Sequence, residues 1–172
     1  MIPDTWLTFA MTGVRVQFAT SDDAIGLAAL KMRWDLERGG SPDTTFIRRY
    51  ADAWLAARTT RPAWIAKTAD GNPVGYVLGA HVAKMPSLLQ PGRGWLHLSA
   101  VYVDEGRRRQ GVGKELLRAV ENWATAHDLS RIQLNADDEA RGLYLKVGFE
   151  RPTERFMELR LGAEPQPDLR LF

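Results

Sequence analysis

The segment Val101-Tyr102-Val103-Asp104-Glu105-Gly106-Arg107-Arg108-Arg109-Gln110-Gly111-Val112-Gly113-Lys114 holds the residues whose types and spacing point most directly to chemistry. An apolar strand pattern runs into a turn rich in glycine and arginine, and the turn opens a long helical pattern. Glycine lets the backbone approach a ligand closely and adopt conformations that other residues resist. The first N–H groups of a helix have no intrahelical partner, and together with the helix dipole they attract anions. The arginines and Lys114 add positive charge, so the segment has the makings of a phosphate cradle. Spacing then separates the kinds of cradle. A P-loop requires G-x-x-x-x-G-K-[ST]; Gly106 and Gly111 stand at the right separation, but Val112 occupies the lysine position. A dinucleotide fingerprint requires G-x-G-x-x-G; Gly111 and Gly113 fit, but Leu116 replaces the third glycine. The structural alternative is a solvated basic turn capped by glycines.

The surrounding pattern supplies elements to position this turn. Val14–Phe18 alternates as a short strand. Ser21-Asp22-Asp23 then places a capping side chain and two carboxylates at a helix start, where the dipole favours them. Ile25, Leu27, Leu30 and Trp34 form a helical stripe that Arg38-Gly39-Gly40-Ser41-Pro42 breaks. Ile47, Tyr50 and Trp54 mark a second helix. Ala63–Lys67 reads as a strand, Asp70-Gly71-Asn72 as a hairpin turn, and Val74 to Val82 as a long strand. Met85–Gly94 is a loop. Trp95–Val103 is apolar at nearly every position, which predicts burial on both faces. Val112, Leu116, Leu117, Val120, Trp123 and Ala124 define an amphipathic helix. Arg131–Asn135 is a short strand, Ala140, Leu143, Tyr144 and Val147 line one helix face, and Met157, Leu159 and Leu161 alternate as a last strand. The order β-α-α-β-β-β-α-β-α-β predicts an α/β layered fold on a mixed sheet, with one domain over 1–172, its core at 14–161 and a tail at 162–172.

Composition narrows the function classes. The 172 residues are 45% hydrophobic and 26% charged, which fits a folded domain. Lys+Arg number 23 against 21 Asp+Glu, a net charge of +2, so basic chemistry has to come from local clustering. There is no cysteine, which excludes disulfides, thiolate metal sites, Fe–S clusters and cysteine nucleophiles. The three histidines show no H-E-x-x-H spacing, so no metal is expected. No serine sits in G-x-S-x-G, which argues against an α/β-hydrolase. Nucleic-acid binding through Arg93 and Arg107–Arg109 lacks an extended basic stripe and a stacking platform. The first residues do not read as a signal peptide, and no apolar run approaches the roughly 20 residues of a membrane span. A cytoplasmic protein without nucleic-acid or membrane partners is therefore expected.

Arg108-Arg109-Gln110-Gly111-Val112-Gly113 resembles the R-x-x-G-x-G pyrophosphate loop of the GCN5-related N-acetyltransferase (GNAT) family. Leu143-Tyr144-Leu145-Lys146-Val147-Gly148-Phe149 likewise resembles the family's L-Y-x-x-x-G-F motif on a later helix. The two stand in the family's order and spacing, and the likeness is good over residues 62–161. It implies a three-layer fold whose mixed, mostly antiparallel central sheet is flanked by helices. It implies acetyl-CoA as co-substrate and transfer of its acetyl group to a primary amine of a small molecule or peptide, by direct attack in a ternary complex. A non-catalytic acyl-CoA-binding or regulatory domain of the same fold is the alternative, and a homodimer stays open.

The resemblance also distributes roles. Arg108, Arg109, Gln110, Gly111, Val112, Gly113 and Lys114 would hold the diphosphate. Free backbone groups of Val101, Tyr102 and Val103 would grip the pantetheine and the thioester oxygen. Asp138 stands where many members have asparagine near the start of the second motif's helix, and is carried over as a weaker ligand. Tyr144 is the expected acid for the leaving thiolate, since a phenol keeps its proton at neutral pH; the alternative is a core aromatic. His97, on the donor strand, is the candidate base, and by alternation it is expected to share a face with Ser99, Val101 and Val103. A histidine satisfied by its surroundings is the competing reading, with Glu105, Asp35 and Glu37 as weaker base candidates. The acceptor is expected between Lys31–Tyr50 and Lys84–Arg93.

Overall fold

A computed structural model describes residues 13–89 and 92–151. The expected final strand and the tail lie outside them. In chain order the elements are β1 (Val14–Phe18), α1 (Ala24–Glu37), α2 (Phe46–Ala57), β2 (Ala63–Thr68), β3 (Pro73–Val82), β4 (Trp95–Val103), α3 (Val112–Ala126), β5 (Ile132–Leu134) and α4 (Asp138–Lys146). Single 3₁₀ turns at Ser21–Asp23 and Glu105–Arg107 lead towards α1 and α3. The five strands lie in the order β1-β2-β3-β4-β5. β1 to β4 pair antiparallel, β1 with β2 across the segment that holds α1 and α2, and β4 pairs β5 in parallel across the α3 crossover. The expected mixed, mostly antiparallel sheet between helical layers is the observed one. Among the described residues no helix is long and apolar enough to cross a membrane.

Each face of the sheet has its own core. Trp64, Val77, Leu96 and Leu98 pack with Val112, Leu116, Leu117 and Val120 of α3 and with Tyr144 of α4. On the other face Ile65, Tyr76, Ala100 and Tyr102 pack with Leu27, Ala28 and Leu30 of α1 and with Ala51 and Trp54 of α2. The α3 stripe is the expected one. The α1 stripe is not: Ile25 is 59% exposed, and Ala24 and Ala28 take the buried positions with Leu27 and Leu30. Ile25 is a helix position away from that stripe, about 100° around the axis from Ala24, and small alanines let α1 lie close to the sheet.

One irregularity in β4 matters for the site. Leu78 pairs with Ala100 and Gly79 with Leu98, so Ser99 is an extra residue without a partner. Its hydroxyl donates to the Leu78 carbonyl at 3.2 Å. Such a bulge shifts the side-chain alternation by one. Leu96 and Leu98 therefore face α3, while beyond the bulge Ala100 and Tyr102 face α1 and α2 and Val101 and Val103 face α3. His97 lies on the face opposite to Val101 and Val103, which corrects the expectation that they share one; the alternation argument assumed a regular strand.

The turn before α1 contains the one buried charged residue among those described. Asp23 is 3% exposed, pairs with Lys67 of β2, and accepts from the Thr20 amide at 2.8 Å and the Thr20 hydroxyl at 3.2 Å. Burial alone would raise its pKa, but Lys67 and the Thr20 amide outweigh that and hold it below the ordinary carboxylate range. Removing one member of a buried pair strands the other, so Asp23→Ala should cost about 3 kcal/mol in urea denaturation at pH 7. Because the folded-state pKa is the lower one, this contribution is full above about pH 4 and is lost as pH falls through the folded value. The alanine variant should show a correspondingly flatter loss of stability on the acid side.

Candidate active site

The parallel pairing of β4 with β5 runs only from Leu96–Leu98 against Ile132–Leu134. β5 then ends, while β4 continues to Val103. The divergence opens a cavity of about 620 Å³. Leu98 to Val103 form one wall, and Leu134, Asn135, Ala140 and Tyr144 form the other. Trp34, Glu37 and Arg38 of α1 close it on the acceptor-expected side, with Glu105, Arg108, Asp137 and Glu139 at its rim.

Backbone direction along β4 decides which groups reach this cavity. The Asp104 amide donates to the Val74 carbonyl at 2.9 Å, so Asp104 turns its backbone towards β3. By the strand's alternation Tyr102 does the same, and Val101 and Val103 turn their N–H and C=O groups towards the cavity. The Val103 carbonyl is already taken, accepting from Arg108 Nε at 2.9 Å. Of the three strand residues singled out in the sequence, Val101 thus retains both backbone groups for a ligand. Tyr102 contributes its ring and hydroxyl on the α1 side instead.

The glycine turn has the geometry its sequence suggests. Gly111 caps α3 with φ +89°, a left-handed conformation suited to glycine. Arg109 also has positive φ, +60°, which a side chain tolerates poorly. Gln110 Nε2 donates to the Gly106 carbonyl at 2.9 Å and braces the turn. Val112, Gly113 and Lys114 then present the amides that a helix start leaves unpaired. A Cβ at Gly113 would stand 3.1 Å from Leu143 Cδ2, so α3 and α4 approach closely here.

Arg108 behaves differently from its neighbours. It forms an ion pair with Glu37, and its guanidinium lies 5.8 Å from the Tyr102 ring centre. The hydrogen bond to Glu37 is the main cause of its raised pKa. Arg107, Arg109 and Lys114 have no ion pair among the described residues, so the diphosphate-sized charge on offer is theirs. Burial would raise the Glu37 pKa, but the Tyr102 hydroxyl and Arg108 reverse this and keep it low. In the sequence Glu37 is a carboxylate near the end of the first helix and a weaker base candidate; its partners are 65 and 71 residues away.

Tyr144 sits in the cavity wall, 8% exposed, edge-on to Phe149. Burial, with the nearby Asp137 charge, pushes its phenol pKa up, so it stays protonated at neutral pH. Asp138 is not among the lining residues. Its side chain is 89% exposed and pairs with Arg141 at 2.8 Å. The helix cap Asp137 and the strand-end Asn135 line the cavity instead, because Asp137, Ala140 and Tyr144 stand at helical spacing on the face of α4 that meets the cavity, which turns Asp138 outward. His97 is paired with Ala80 and is also absent from the cavity lining. Among the described residues no cluster of histidine and carboxylate side chains could hold a metal ion.

Comparison with known proteins agrees with this arrangement. Residues 27–149 match the model of the "Acetyltransferase (GNAT) family". Among curated proteins no relative matches. Similar solved structures include a predicted acetyltransferase from Clostridium acetobutylicum with acetyl-CoA, at 19% identity and a TM-score of 0.69, covering 86% of this chain and 96% of that one. Another is the ribosomal-protein-alanine N-acetyltransferase from Brucella melitensis, at 22% identity and a TM-score of 0.68, covering 86% and 99%. A third is AAC(6')-Iy in complex with the bisubstrate analog CoA-S-monomethyl-acetylneamine, at 20% identity and a TM-score of 0.65, covering 87% and 99%. With the family's segment matched from α1 to the end of the second motif, this chain belongs to the GNAT acetyltransferase family.

Proposed function

We propose that this chain transfers an acetyl group from acetyl-CoA to a primary amine, the amine attacking directly while both substrates are bound. The observation that carries the reading is the cavity between β4 and β5. It is bounded at one end by Glu105 and by Arg108, the first residue of the R-x-x-G-x-G turn, by Val101's backbone along one wall and by Tyr144 in the other, while Gly111 to Lys114 stand outside its lining. The residues fit the donor. The amides of Val112, Gly113 and Lys114, with Arg109 and Lys114 side chains, are an anion site for the diphosphate. Val101 offers an N–H to the thioester oxygen, where charge develops during attack. Acetyl-CoA itself supplies the activated acyl group. With no cysteine in the chain, a cysteinyl acyl-enzyme is not available.

Tyr144 is the proposed acid, its raised pKa keeping a proton ready for the departing sulfur. His97 and Asp138 have no part in this proposal: His97 lies on the face of β4 opposite Val101 and Val103, and Asp138 is turned out to solvent and paired with Arg141. The rim favours a cationic acceptor. Arg108 and Arg38 are matched by Glu37 and Asp137, while Glu105 and Glu139 have no ion pair among the described residues. The rim is therefore left net negative, as a second ammonium group on a small molecule or peptide would require. Thiol release with acetyl-CoA and a panel of polyamines, aminoglycosides and peptide N-termini tests the reading. Acetyl-CoA binding without release for any amine would instead indicate a non-catalytic binding domain.

Two variants probe the parts separately. Gly113→Asp puts a carboxylate beside the proposed diphosphate, and its Cβ displaces only the flexible end of Leu143. CoA affinity by calorimetry should fall by about 2 kcal/mol or more with the fold retained. An unchanged affinity in the folded variant would refute the diphosphate assignment. Tyr144→Phe keeps the ring packing and removes the hydroxyl. With an acceptor from the panel, kcat should drop about 10²–10⁴-fold while CoA binding barely changes. Near-normal turnover would return Tyr144 to a packing role.

A further inference from the structure

Helix α1 is tied to the end of β4 by a reciprocal pair of charges. Arg33 reaches Asp104 at 2.6 Å, and one turn later Glu37 reaches Arg108. Each partner pair is spaced four residues apart, and the signs cross: cation to anion, then anion to cation. The Tyr102 hydroxyl binds both anions of this clasp, donating to Glu37 Oε1 at 2.6 Å while lying 3.0 Å from Asp104 Oδ1. Trp34 stacks on the Tyr102 ring at 6.1 Å. Glu37 and Tyr102 also form the wall shared by the main cavity and a second, more open one of about 530 Å³ on the side of Arg33 and Val74.

Arg108 is the far end of this clasp and the near end of the glycine turn. Its Nε donates to the Val103 carbonyl and its Nη2 to Glu37. The next residue, Arg109, is held at φ +60°. A left-handed conformation at such a residue persists only where its neighbours over-determine it. The neighbours that do so are Gln110, on the Gly106 carbonyl, and Arg108, on Val103 and Glu37.

We propose that Glu37 is a positioning residue for the donor site: from the acceptor-side helix it holds Arg108, and through Arg108 it keeps the glycine turn in the shape that receives a diphosphate. The proposal rests on the acetyl-CoA reading above. Glu37 does not act as a base in it, because both of its oxygens are engaged, by Tyr102 and by Arg108.

The test compares CoA with S-acetylpantetheine, which lacks the diphosphate, by calorimetry or ligand-observed NMR at a temperature where every protein is fully folded. Glu37→Ala should raise the Kd for CoA about tenfold, since a preorganised turn becomes loose. Its Kd for S-acetylpantetheine should stay within about twofold of wild type, because that ligand makes no use of the turn. Glu37→Gln keeps an acceptor for Tyr102 but loses the charge, and should raise the CoA Kd about threefold. An unchanged CoA Kd in Glu37→Ala would overturn the proposal. So would equal losses for both ligands, which would mean general loosening of the site rather than a route through Arg108. If the alanine variant does not fold, the isosteric glutamine variant decides by the same comparison. A wild-type protein that binds neither ligand would overturn the acetyl-CoA reading, and this proposal with it.

Discussion

Beyond Leu98 the fourth strand has no strand neighbour on one side among the described residues, and its backbone N–H and C=O groups must find partners elsewhere. Unpaired backbone groups away from water are costly, so native proteins rarely leave them orphaned. Here Val103's carbonyl is satisfied by Arg108, a side chain from the turn that follows. Val101 has no such substitute in the strand pattern. A strand end built this way is a ready recognition edge, because a ligand with complementary polar groups completes a pairing that the sheet left unfinished. The cavity follows from where this pairing stops.

The bulge at Ser99 sits where β4 leaves the parallel ladder. A regular β4 would have directed Val101 and Val103 towards α1, and Ala100 and Tyr102 towards α3. The added residue reverses this. Tyr102 is thereby delivered to Trp34 and Glu37, and the valines to the face of α3 and Leu143. The consequence is a division of labour across one short strand: side chains on one face meet α1 and α2, while backbone groups at the edge face the cavity.

The charges follow a similar economy of placement. Arg108 is spent on protein groups, which leaves the neighbouring cations and the helix amides to meet an anion. At the other end of the cavity, Arg38 both pairs with Asp137 and covers the Trp34 ring. The cations without an ion pair among the described residues, Arg107, Arg109 and Lys114, thus stand about the start of α3, and Glu139 stands in the first turn of α4. On the proposed reading, an anionic donor and a cationic acceptor would meet different parts of the same opening.

Much of this was legible in the residues themselves. Local patterns determine β4, α3 and the turn between them, because Trp95–Val103 is apolar at nearly every position, the α3 stripe is strongly periodic, and Gly111 sits where a left-handed cap is needed. The spacing from Arg108 to Gly113 and from Leu143 to Phe149 carries the family likeness for the same local reason. What local pattern could not carry are the features made by distant residues. A bulge depends on which residue of β3 opposes which of β4, so strict alternation placed His97 on the wrong face. The outward turn of Asp138 depends on which face of α4 is set against the ends of β4 and β5. Ile25 was set in the stripe by hydrophobicity, but the small residues beside it allow the closer approach of α1 to the sheet. Glu37 gains its partners only when the chain brings position 37 against positions 102 and 108. Short-range propensity and spacing determine the elements and the turn; side-chain direction at the bulge and the charge pairs across α1 and β4 exist only in the tertiary structure, because each is set by a contact between segments that are far apart in the chain.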